Sequence, residues 1–261
     1  MTTGNHFFHL VTYSPWPVLI ALNLMNVGGM AVSIIISKFQ PYMIVFVVLL
    51  IMISFQWWRD VIREALYEGY RSTKINTTIG LGIIFFIVSE IWFFISFFWS
   101  YFYYRLSPDL NIGIIWPPYG VIPIRFMDIP LLNTLTLLTS GFFVTWSHHR
   151  LINSKYNESA VSLGIAIIAG GYFVIIQAYE YLNSNFRFND RVFGNRFFIL
   201  TGFHGIHVIV GLIFIAVRLM RIIKSQFSPR IFHGYEYSIW YWHFVDLVWL
   251  FLYTFIYWWG M

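Results

Sequence analysis

Seven stretches of the chain are apolar for about the length a helix needs to cross a bilayer, and this pattern constrains the fold more than any other feature. The runs cover residues 15–37, 41–58, 79–104, 129–147, 159–182, 197–217 and 237–257. About 20 apolar residues at 1.5 Å each span the hydrocarbon core. Only helices or closed barrels satisfy their backbone groups in lipid, and long runs without period-2 alternation exclude the barrel. The expected fold is therefore all-α: a polytopic membrane helical bundle forming a single membrane domain over 1–261. Its helices are expected at about 15–37, 41–68, 73–105, 129–152, 156–183, 191–223 and 233–258.

Composition agrees. Of 261 residues, 59% are hydrophobic and 10% charged, against roughly 25% charged in soluble domains. The net charge of +5 comes from Lys and Arg scattered between apolar runs. No basic stripe suggests nucleic acid. With no cysteine, disulfides, iron–sulfur clusters and thiolate metal sites are excluded. The first ten residues hold no Lys or Arg, unlike a secretory signal or a transit peptide, and the chain is expected to insert as it is made. Ten Lys and Arg fall on the N-terminal side of the spans and six on the other. The positive-inside bias thus places the N-terminus on the cytoplasmic or matrix side.

Residues 55–70 lack an internal breaker before Gly69, so the second helix should extend into solvent. Residues 105–128, with WPPYG at 116–120, form the longest connection and should be an ordered loop. Small residues at helical spacing, Ala166 with Gly170 and Gly202 with Gly205, suit close helix packing.

The few titratable groups inside the spans are the chemical candidates. Glu90 stands in the middle of the third run, where a bare carboxylate costs about 2.5 kcal/mol or more. It is either a proton-relay carboxylate or a neutral acid bonded to a neighbouring helix. Glu180 lies near the end of the fifth run. His243 and Asp246 are three apart on the seventh helix, as are His204 and His207 on the sixth. Each couple is read as a buried polar pair, with a local proton path as the alternative for the first. A metal is the alternative for the second, since imidazole suits zinc or copper. Trp57, Trp58, Arg59, Arg63 and Glu64 mark where the second helix leaves the membrane. Arg221 and Lys224 emerge at the same level from the sixth. Guanidinium groups beside tryptophans suit anionic lipid headgroups. The chain holds no phosphate loop, no Ser–His–Asp order and no HExxH spacing. Read from its residues, it is a membrane subunit without a catalytic centre or metal site of its own.

These segments carry a family resemblance. FHLVTYSPWP near the start, QWWRDVIRE at 56–64 and FFIVSEIWFFISFFW at 85–99 resemble subunit III of mitochondrial cytochrome c oxidase. So do WPPYG, PLLNTLTLLTSG at 130–141, TGFHGIHVIVG at 201–211 and WYWHFVDLVWLFLY at 240–253. The resemblance implies seven helices divided into two and five by a cleft filled with phospholipid. It implies no redox group on this chain, with haem and copper in partner subunits I and II, accessory subunits beside them, and cytochrome c met only through the complex. It further implies the mitochondrial inner membrane, an N-terminus in the matrix, and support of assembly, stability and proton uptake in an oxidase that pumps protons. Glu90 matches the family's buried carboxylate. Trp58, Arg59, Arg63, Glu64, Arg221 and Lys224 match positions near lipid headgroups. Arg71 stands where animal members carry histidines, within EGYRSTK at 68–74. Two other readings use the same residues: a membrane cytochrome built on His204, His207 and His243, and a proton-coupled transporter built on Glu90 and Asp246.

Overall fold

The computed structural model describes residues 13–36, 41–67, 73–108, 110, 113–226 and 233–260. Those residues form seven α-helices: α1 (Trp16–Ile36), α2 (Met43–Tyr67), α3 (Thr73–Leu106), α4 (Ile129–Ile152), α5 (Tyr156–Asn183), α6 (Arg191–Ile223) and α7 (His233–Leu252). A π-helical turn, Tyr253–Trp258, continues α7. No strand occurs among the described residues. Helices α2 to α7 each contain a segment long and apolar enough to cross a membrane. In α1 the corresponding stretch, Trp16–Met30, is shorter.

The chain packs as two compact units, residues 1–79 and 80–261. The first holds α1 and α2. Side-chain hydrogen bonds join the two helices: Trp16 Nε1 donates to Asp60 Oδ2 at 3.0 Å, and Asn23 Nδ2 donates to Phe46 O at 2.9 Å. The expected extension of α2 beyond its apolar core runs helically to Tyr67.

The second unit holds α4 to α7 and α3 from Gly80 onward. Lipid supplies no hydrophobic drive between helices, so close contact and hydrogen bonds must hold this bundle. Trp242 of α7, fully buried, does both. Its ring lies against Gly170 of α5 and Gly211 of α6, and its Nε1 donates to Ser140 Oγ of α4 at 3.0 Å. A Cβ on either glycine would stand 2.8 Å from the indole. Ala166 and Gly170 thus occupy the close-packed positions expected of them, but Gly202 and Gly205 do not. A Cβ at either would meet nothing within 4 Å, and Gly211 makes the close approach on α6 instead. The sides of a helix that meet neighbours are set by rotation about its axis, which small-residue spacing leaves open.

Hydroxyls stitch α4 to α5. Ser147 donates to Ser159 O at 2.7 Å, Ser159 donates to Ser147 O at 2.9 Å, and Tyr235 of α7 donates to Ser147 Oγ at 2.6 Å. Helix α3 joins through its rings: Phe93 and Phe97 pack on Phe203 of α6 with centroids 5.1 and 5.2 Å apart. The long connection after α3 is tied down as expected, with Trp116 packed between the rings of Tyr101 and Phe193. The α5–α6 turn needs glycine at Gly194, whose Cβ would overlap Arg187 O.

Candidate functional site

Where α3 meets α6, Glu90 Oε2 lies 2.7 Å from His207 Nε2. The other ring nitrogen, Nδ1, lies 2.7 Å from the carbonyl oxygen of Phe203 one turn earlier. A carbonyl only accepts, so Nδ1 carries a hydrogen. Nε2 then either accepts a proton from a neutral Glu90 or donates one to its carboxylate. Both arrangements have zero net charge, which is what a segment crossing lipid tolerates best. They differ by the position of a single proton between two atoms 2.7 Å apart. Phe93 and Phe94 enclose the imidazole, with centroids 6.2 and 5.0 Å from it. The Glu90 side chain retains 21% exposure.

The two histidines of α6 are therefore not partners of each other. His204, 1% exposed, packs against Phe173 and Trp249 with centroids 5.7 and 5.2 Å away. Neither of its ring nitrogens has a hydrogen-bond partner among the described residues. Three residues along a helix set two side chains about 60° apart in azimuth, and that difference aims His204 into the bundle and His207 at α3. His243 and Asp246 likewise share no hydrogen bond with each other. His243 is exposed and its Nε2 lies 3.1 Å from Thr145 Oγ1 of α4. Asp246 is 8% exposed, with Oδ1 enclosed and unbonded among the described residues. Both side chains lie over Gly141 of α4. No group of three or more His, Cys, Asp or Glu is placed to hold a metal among the described residues.

A second buried polar cluster is one that hydropathy reasoning did not assign. Tyr257, on the π-helical turn, donates to Glu180 Oε1 at 2.6 Å, and Gln177 Nε2 lies 3.3 Å from the same oxygen. Asn133 Nδ2 donates to Gln177 Oε1 at 3.1 Å. The signal was present as two polar residues three apart on α5, Gln177 and Glu180, with Asn133 in the apolar fourth run. All three are nearly fully buried.

The headgroup candidates divide between the two units. In the first, Trp58 is 62% exposed, Arg63 is exposed and Glu64 half-buried. Arg59 is engaged by its neighbour: its Nε donates to Asp60 Oδ1 at 3.1 Å. In the second, Arg221 is 7% exposed in the last turn of α6, and Lys224 caps that helix on the exposed side. Arg71 lies outside the described residues.

The family model described as cytochrome c oxidase subunit III matches residues 6–261. The curated cytochrome c oxidase subunit 3 of Anopheles quadrimaculatus is 46% identical, over 98% of this chain and 98% of its own length. That of Drosophila melanogaster is 46% identical over 99% of both chains. The hagfish Myxine glutinosa protein of the same name is 44% identical over 100% of both.

Proposed function

Because the chain belongs to the cytochrome c oxidase subunit III family, we propose that it serves the oxidase as a core subunit holding no redox centre of its own. Electrons pass from cytochrome c to oxygen through haem and copper held by the partner subunits I and II. This chain supports assembly, stability and proton uptake in the proton-pumping complex. It resides in the mitochondrial inner membrane, with α1 as a seventh span and the N-terminus in the matrix.

One observation carries this reading. The three histidines that a haem or metal would need lie apart: one is bonded through both ring nitrogens, one through a single nitrogen, and one is packed between aromatic rings. His207 uses both ring nitrogens, on Phe203 O and Glu90, and His243 uses Nε2 on Thr145. His204 is wedged against two aromatic rings. A six-coordinate haem between such rings would have to displace a packed core. The Glu90–His207 pair has a different use. Its proton can shift between two atoms with no change in net charge, so in neither position does a carboxylate face lipid unpaired.

The chain's basic residues suit bound phospholipid. Arg63, Arg221 and Lys224 offer donors to phosphate oxygens, and Trp58 offers an interfacial ring. Arg59, Glu64 and Arg71 complete the set that the family resemblance assigns to headgroups. Arg59 shares its guanidinium with Asp60, which leaves fewer donors for a phosphate.

Two measurements on the assembled oxidase test the proposal. Haem and copper per catalytic core should be the same with and without this subunit; a stoichiometric loss on its removal refutes the absence of a redox centre. Glu90→Gln should leave electron transfer largely intact in a correctly assembled complex. Complete loss of oxygen reduction would contradict a supporting role.

A further inference from the structure

The outward seam between α4 and α7 is polar at its centre, where a lipid-facing surface should be most apolar. Gly141 lies midway along the membrane-crossing segment of α4, and Asp246 midway along that of α7. Over Gly141, whose Cβ would stand 2.8 Å from Asp246 Oδ2 and 3.6 Å from His243 Nδ1, the two ionisable side chains converge. Along the seam around them stand exposed apolar residues: Phe142 at 59%, Trp240 at 41% and Leu247 at 52%. The composition is that of a helix–helix interface, not of a surface that meets acyl chains.

The hydrogen-bond arithmetic states what the seam lacks. Thr145 has one hydroxyl hydrogen, which it donates to Gly141 O at 3.0 Å. The 3.1 Å contact to His243 is therefore a donation from Nε2–H to Thr145 Oγ1. In a neutral ring this leaves Nδ1 as a bare acceptor. Asp246 Oδ1 is enclosed and unbonded among the described residues, so His243 Nδ1 is the acceptor that the seam leaves unmet. Acyl chains offer no donor, and a second copy of this chain would set the same acceptor against it.

Resting on the reading of this chain as an oxidase subunit, we infer that the α4–α7 seam centred on Gly141, Thr145, His243 and Asp246 docks a transmembrane helix of another oxidase subunit. That helix presents a hydrogen-bond donor at the bilayer midplane. Gly141 keeps the seam shallow enough for the donor to reach His243, and the flanking rings supply the packing surface.

The chain contains no cysteine, so a single Leu247→Cys variant can carry a benzophenone maleimide in the intact oxidase. After illumination, mass spectrometry should find the adduct on a membrane-spanning peptide of a different subunit. Adding His243→Phe should lower the yield of that adduct roughly fivefold, the order expected for one lost interhelical hydrogen bond. His243→Asn, which keeps a side-chain acceptor, should restore much of it. Adducts confined to lipid, to a second copy or to this chain's own residues overturn the proposal, as does a yield unmoved by His243→Phe. Retention of this subunit with haem-bearing partners is scored separately in the same preparations. Its loss from the unsubstituted complex would strike the oxidase reading itself and not the seam alone.

Discussion

Replacing Gly211 by alanine tests how the five-helix unit is held together. The added methyl would stand 2.8 and 3.0 Å from Cε3 and Cζ3 of Trp242, where carbon atoms prefer about 3.5–4.0 Å. The indole has little freedom to retreat. Gly170 lies as close on another helix, and the Ser140 hydroxyl holds its nitrogen at 3.0 Å. Overpacking of this kind costs roughly 1–3 kcal/mol, while alanine in a helix gains about 1 kcal/mol over glycine. Gly211→Ala should then destabilise by about 1 kcal/mol. Gly205 on the same helix is the internal control, because a Cβ there meets nothing within 4 Å. Gly205→Ala should be neutral or stabilise by up to about 1 kcal/mol. The two variants of one helix thus differ by about 2 kcal/mol, close to thirtyfold in the unfolding equilibrium. SDS titration in mixed micelles, followed by circular dichroism, resolves such a difference. In a Trp242→Phe background, which removes the ring atoms that clash, the gap should largely close. Equal stabilities for Gly211→Ala and Gly205→Ala, or a gap that persists without the indole, would refute the glycine-lined seat for Trp242.

Three further outcomes are expected. Ser147→Ala removes the acceptor of the Tyr235 hydroxyl and breaks the reciprocal link to Ser159. It should cost about 1–3 kcal/mol in the same titration, since hydrogen bonds of a buried hydroxyl are lost on both sides. Tyr257→Phe takes from Glu180 its 2.6 Å donor and should destabilise by about 1–3 kcal/mol; the loss should shrink when Glu180→Ala removes the acceptor as well. The combined Arg63→Ala and Arg221→Ala change should lower the phospholipid that co-purifies with the oxidase and hasten its inactivation during turnover. Unchanged lipid content by mass spectrometry would count against headgroup binding at these positions.

Hydropathy by itself indicated a bundle of seven helices, because lipid leaves the backbone no other way to satisfy its hydrogen bonds. It singled out Glu90 for the same reason, as a charge too costly to face acyl chains. Partnership was decided only by tertiary structure. His207 and Glu90 are 117 residues apart and meet because of how α3 and α6 are rotated about their axes. His204, three residues away, was sent to Phe173 and Trp249 by that same rotation. The Glu180 cluster likewise depends on a π-helical turn that brings Tyr257 onto α5, and the seat for Trp242 on Gly211 rather than Gly202 or Gly205. Apolarity varies along the chain and is readable one residue at a time. Azimuth around each helix is chosen by the packing of all its neighbours at once, and it is azimuth that decides which polar groups meet.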